Sequence, residues 1–179
     1  AYLAVRGGFQ AVFQSKVIDS WVTQKVIWTQ IVEQVDDWQD GTVIIVGYKH
    51  APNTKYVYTM SWGTTVTATN MFEFPENWEQ LPTTLFIPQL NGSYGDVRNG
   101  ELYIKPLPWK NLTKVDPKKL IYFDVARGNK LVRRFDKFSY RDYETELAPK
   151  GPAHNFKKKP LYDVLILPPG TLNGQDKSR

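Results

Sequence analysis

The feature that most restricts what this chain can fold into is a recurrence of short apolar runs. Each is rich in β-branched and aromatic residues, and each is closed by Gly or Pro. GTVIIVGYK (41–49) is opened by Gly41 and closed before Ala51-Pro52-Asn53. KYVYTMSW (55–62) sets Tyr56, Tyr58, Met60 and Trp62 on one face, and GELYIKPL (100–107) alternates Leu102 and Ile104 against Glu101, Tyr103 and Lys105. TTLFIPQL (83–90), KLIYFDVARG (119–128) and LYDVLILPPG (161–170) continue the series, and GTTVTATNMFEF (63–74) carries the same residue types. Runs of this length between turn residues predict strands. Pro88 cannot donate to a ladder, so 83–90 is expected at a sheet edge or strand end.

Two segments are harder to read. AYLAVRGGFQAVF opens the chain with strand-forming types, Gly7-Gly8 reading as a bulge, and residues 1–14 are expected to be a strand. In 17–38, Trp28, Ile31, Val32 and Val35 sit at helical spacing, while KVIWTQIV is β-branched-rich; the scarcity of strong helix formers favours strand. NGSYGDVRNG (91–100) reads as a turn-rich loop, 129–160 as irregular and charged, and the final NGQDKSR as a frayed end. Strands punctuated by turns without a firm helix predict an all-β fold, an antiparallel β-sandwich or barrel. The expected division is a body over 1–135 and an extended basic C-terminal arm over 136–179 with one further strand.

Composition narrows the chemistry. The chain has 179 residues, enough for one domain with a sizeable core, and its 41% hydrophobic and 23% charged content is that of a globular protein. The absence of Cys excludes disulfides, thiolate metal sites and a Cys nucleophile. No apolar run reaches membrane-spanning length, and no basic-then-apolar leader is seen. Asn91-Gly-Ser93 and Asn111-Leu-Thr113 match the glycosylation sequon as chance occurrences. Charge is uneven: residues 1–125 hold 11 Lys/Arg against 12 Asp/Glu, and residues 126–179 hold 12 against 6. A basic C-terminal third favours an anionic partner, with nucleic acid the commonest.

Enzyme signatures are missing. The two histidines, His50 and His154, fall in a turn and in the basic arm, and no metalloprotease, calcium-loop, nucleophile-elbow or P-loop motif occurs. The acids Asp36, Asp37 and Asp40 before Gly41 offer a cation site or acid–base pair, against the simpler reading of a polar turn. We therefore expect no catalytic residues, no metal and no cofactor. The candidate nucleic-acid-binding residues are Arg133, Arg134, Lys157, Lys158 and Lys159, with Tyr140, Tyr143 and Phe156 interleaved for stacking and Asp136, Asp142, Glu144 and Glu146 diluting the patch.

The order of elements resembles a family. Ile87-Pro88, then Gly100-Glu-Leu-Tyr-Ile104, then Leu120-Ile-Tyr-Phe-Asp-Val-Ala126 is similar to the back half of a picornavirus-like jelly-roll capsid protein, of the kind found in picorna-like positive-strand RNA viruses of the dicistrovirus and marnavirus type. Arg6-Gly7-Gly8-Phe9 through Phe13 looks like the RG strand of the insect- and algal-virus relatives. Only the later strands match. The resemblance implies a jelly roll completed by another chain, a cleaved or short subunit, and a location in the virion. It implies an icosahedral shell of other capsid chains as partners, with genomic RNA bound without sequence preference. Asp36-Asp37-Trp38 is similar only in type to that family's acidic cleavage motif, and the role is not carried over. The competing expectation is a β-sandwich binding module that takes a carbohydrate or protein ligand through exposed aromatics such as Trp62, Trp78 and Trp109.

Overall fold

The computed structural model describes residues 2–48, 65–90, 94–107 and 109–172. The chain is β-rich. Its elements run α1 (Tyr2–Gln34), β1 (Val43–Val46), α2 (Thr67–Met71), β2 (Phe72–Glu73), β3 (Thr83–Phe86), the single turn α3 (Ile87–Gln89) and β4 (Gly95–Arg98). They continue through β5 (Glu101–Ile104), β6 (Thr113–Lys114), β7 (Leu120–Ala126), β8 (Lys130–Arg134), β9 (Lys137–Tyr140), β10 (Tyr143–Glu146), β11 (Lys157–Lys158) and α4 (Pro160–Leu165).

The centre is a four-stranded sheet in the order β3-β1-β7-β8. β1 pairs in parallel with both neighbours, Ile44 opposite Thr84 and Ile121, and only β7 and β8 are antiparallel. All four residues of β1 and all four of β3 are buried. A parallel strand covered on both faces reads as a continuous apolar run, and VIIV is one. Alternate residues then feed two cores. Ile44, Val46, Phe86, Ile121 and Phe123 face α1 and α4, while Val43, Ile45, Leu85 and Leu120 face the small sheets β4-β5-β6 and β9-β10. The molecule is thus three layers: helices, central sheet, small sheets.

Several expectations are corrected. Tyr2–Gln34 is one 33-residue helix where strands were expected over 1–14 and 17–38. Within it Ser20, Gln24, Ile27, Trp28 and Ile31 are buried at helical spacing against the sheet. Docking this face outweighs the modest helix propensity of its β-branched residues. The expected strand at 63–74 contains α2, and that at 161–170 begins with α4, where Pro160 takes a first-turn position that needs no N–H. The expected loop at 91–100 holds β4, and the stretch expected to be irregular at 129–160 holds β8 to β11. The expected strand at 55–62 lies outside the described residues. The all-antiparallel sandwich also gives way at the centre, because parallel strands joined by long crossovers occupy the middle of the main sheet. β3, ending at the turn that holds Pro88, is an edge strand as predicted.

The other edge, β8, is closed by a side-chain ladder. Gln30 Nε2 donates to the Asn129 carbonyl (3.2 Å), and the Leu131 amide donates to Gln30 Oε1 (2.7 Å). One turn later Gln34 Nε2 donates to the Leu131 carbonyl (3.0 Å), and the Arg133 amide donates to Gln34 Oε1 (3.1 Å). Two primary amides, spaced i and i+4 on α1, supply the donors and acceptors that a fifth strand would.

The C-terminal segment folds onto its own chain. The Gly151 amide donates to Asp37 Oδ2 (2.8 Å), the His154 amide to the Asp36 carbonyl (2.6 Å), the Lys159 amide to the Met71 carbonyl (2.8 Å) and the Leu167 amide to Thr29 Oγ1 (2.9 Å). The β9–β10 hairpin contributes Phe138, Tyr140 and Tyr143 to the second core.

Candidate binding cleft

The small-sheet layer is built from tight hairpins. Asn99 and Gly100 both have positive φ (53° and 73°), which suits the two-residue turn that lets β4 and β5 pair with Arg98 opposite Glu101. β9 and β10 pair with Tyr140 opposite Tyr143, leaving Arg141 and Asp142 at the hairpin tip. Arg141 also takes a positive φ, 52°. Leu102, Ile104, Tyr140 and Tyr143 are buried beneath these hairpins and anchor both sheets to the same core.

Between the two sheets lies a cleft of about 540 Å³. Its wall takes Gly95 and Asp96 from β4, Lys105 from the end of β5, Lys110 and Asn111 from the β5–β6 loop, and Arg141 from the hairpin tip. A Cβ on Gly95 would lie 2.9 Å from the Leu90 backbone, so glycine lets the strand approach closely here. Asp96 accepts from Arg98 Nε (2.7 Å). That hydrogen bond, with help from the charges of Arg98 and Arg141, holds the Asp96 carboxyl below its usual range. Trp109, next in the chain to Lys110, is 69% exposed.

The residues singled out in the sequence fall elsewhere. Arg133 is buried and grips Asp37 in a two-pronged pair (2.6 and 2.7 Å), adding a hydrogen bond to the Gln34 carbonyl (3.0 Å). Burial pushes the Asp37 carboxyl up. The Arg133 hydrogen bonds and charge and the Gly151 amide outweigh it, so the net shift is downward. Arg134 pairs with Asp136 (2.6 Å) and Lys157 with Glu73 (3.0 Å); Lys158 lies over the Tyr162 ring (4.1 Å), and Lys159 Nζ donates to the Thr69 carbonyl (2.6 Å). These five cations do not converge on one site.

The acidic run also separates. Asp36 pairs with Lys150 (2.7 Å), Asp37 faces Arg133, and Asp40 accepts from the Glu79 and Gln80 amides (3.1 and 2.7 Å). It is a turn whose three acids each fasten a different segment. Among the described residues no cluster of His, Cys, Asp and Glu could hold a metal ion.

Of the aromatics, Trp78 is half-buried and stacked on Phe74 (5.1 Å), and Phe156 sits edge-on to both rings. Tyr140 and Tyr143 are core residues, so neither offers an open ring face. His154 is exposed near Phe156. His50, Trp62 and Asn91 lie outside the described residues, and Asn111 is exposed in the cleft wall. Lys105, Lys110 and Arg141 were not singled out in the sequence; the turn signal Asn99-Gly100 is the one cue that could have placed a hairpin beside them.

Comparison with protein-family models, curated proteins and solved structures yields no match. Among the described residues, no helix is long and apolar enough to cross a membrane.

Proposed function

We propose that this chain is a non-enzymatic binding module whose ligand surface is the cleft between the β4-β5-β6 sheet and the β9–β10 hairpin. One observation carries the reading: an open cleft of about 540 Å³ is lined by Lys110, whose chain neighbour Trp109 is 69% exposed. Ligand pockets span roughly 300–1,000 Å³, and an exposed indole offers a broad apolar face with one polar donor to a ring or peptide. Trp109 has no evident role in the two cores, so its retention on the surface is better explained by what it meets there.

The shell-subunit reading requires self-complementary surfaces and a basic arm facing RNA. The C-terminal segment instead lies against its own α1 and β2, and its cations have partners within the chain. This weighs toward the module. The deciding experiment joins native mass with ligand screening. A monomer that binds a glycan or peptide, and loses at least tenfold in affinity as Trp109→Ala with an unchanged thermal midpoint, supports the module. A megadalton particle containing RNA and companion chains would return the shell subunit to first place.

A further inference from the structure

Resting on that binding role, we infer that the cleft takes the carboxylate or sulfate groups of an acidic saccharide, held by Lys105, Lys110 and Arg141. Outside the cleft, the cations of the same layer have partners: Arg98 pairs with Asp96, Lys114 with Glu101, and Lys137 with Glu144 (3.3 Å). Inside it, Lys105, Lys110 and Arg141 form no ion pair among the described residues, although they come from three separate segments. Arg141 lies over the Tyr140 ring (5.1 Å), which orients the guanidinium without neutralising it. Three cations face one carboxylate, Asp96, which is already hydrogen-bonded to Arg98, so the concavity keeps an excess of positive charge that raises the local concentration of anions.

Arg141 supplies an independent indication. The other non-glycine residues at positive φ are Asn99 and Asn129, a type that tolerates the left-handed region. Arginine does not favour it, and glycine would suit the hairpin tip better. A large cation kept on strained backbone at the rim of a cleft points to a ligand contact.

The rest of the wall selects among anions. The Asp96 carboxylate is suited to accept from sugar hydroxyls and disfavours a ligand carrying a charge on every unit, while the Asn111 amide can both donate and accept. Trp109, next in the chain to the cleft residue Lys110, is an exposed ring available for stacking, whereas Tyr140 and Tyr143 are buried. A few anionic groups among many hydroxyls, with one ring to stack, describe an acidic sugar better than a nucleic-acid strand.

The test is titration of the full chain with a heparin-derived tetrasaccharide, an oligogalacturonate, a neutral cello-oligosaccharide and single-stranded RNA, at low and high salt. Binding of one or both acidic saccharides, weakened by salt and about tenfold or more by Lys110→Gln and by Arg141→Gly, is expected. Arg141→Gly should leave the thermal midpoint unchanged or raised, because it relieves the backbone at the tip; this separates a ligand contact from a structural one. Equal binding of the neutral oligosaccharide, lost in Trp109→Ala but untouched by the charge variants, overturns the acidic assignment while the module stands. Preferential RNA binding that depends on Lys110 and Arg141 overturns the saccharide. No binding to any probe, in a screen that also finds no Trp109-dependent ligand, overturns both readings.

Discussion

On the helix-bearing side of the central sheet, Arg133 and Asp37 keep 6% and 4% of their side chains exposed and meet through two short hydrogen bonds. On the far side, Arg98, Lys114 and Lys137 meet carboxylates in open solvent, and three further cations line a cleft without forming an ion pair among the described residues. The first arrangement is a structural bolt: it joins the end of α1, strand β8 and, through the Gly151 amide, the C-terminal segment. The second does little for the fold, since exposed pairs compete with water and salt. The charge that ties segments together is buried and closely matched, while the charge of the hairpin layer is exposed and loosely matched.

Mutations can break or sharpen this contrast. Asp37→Ala leaves a buried guanidinium without its partner and should cost about 3–5 kcal/mol, read from urea denaturation. Replacing both members, Asp37→Leu with Arg133→Met, should recover most of that loss; no recovery would mean that the Gly151 and Gln34 contacts matter more than the pair. The pH dependence has a definite sign. Because the Asp37 carboxyl titrates below its unfolded value of about 3.9, its stabilisation is present above that pH. It should fade as acid takes the pH below about 4. An Asp37→Asn variant should have a flatter acid limb in that window, and an identical limb would assign acid unfolding to other groups.

Next in size is Gln30→Ala. It removes a donor and an acceptor from the β8 edge and should cost about 1–3 kcal/mol by the same denaturation assay. Smallest of all, Lys137→Ala on the far side should leave the urea midpoint unchanged within error, and a clear drop there would undo the contrast.

The strands that are buried runs or clean alternations, β1, β3, β5 and β7, were legible because their residues announce them locally. The long helix was not. Val17, Ile18, Val22, Val26, Ile27, Ile31 and Val32 are β-branched, and apolar residues are spread around α1 without a clear stripe, so helix and strand compete evenly until the sheet selects one face. Parallel pairing of β1 was equally hidden, since it depends on crossovers and not on the strand's own residues. Of the cleft and its surroundings, Asn111 stood out as a sequon and Trp109, the chain neighbour of Lys110, as an aromatic. Lys105, Lys110 and Arg141 are unremarkable surface residues in one dimension, and it is the shared core beneath two hairpins that brings them to one concavity.

The glutamine ladder on β8 has a consequence for how this molecule can fail. A neighbouring strand protects a sheet edge through its own backbone, but here protection depends on a helix remaining seated. Any excursion that lifts α1 off the sheet uncovers the Asn129 and Leu131 carbonyls and the Leu131 and Arg133 amides together, while the sheet itself is still formed. A partly open molecule would then present a ready template to a second one, so self-association should begin at this edge once the helix-side core opens and while the second core still holds.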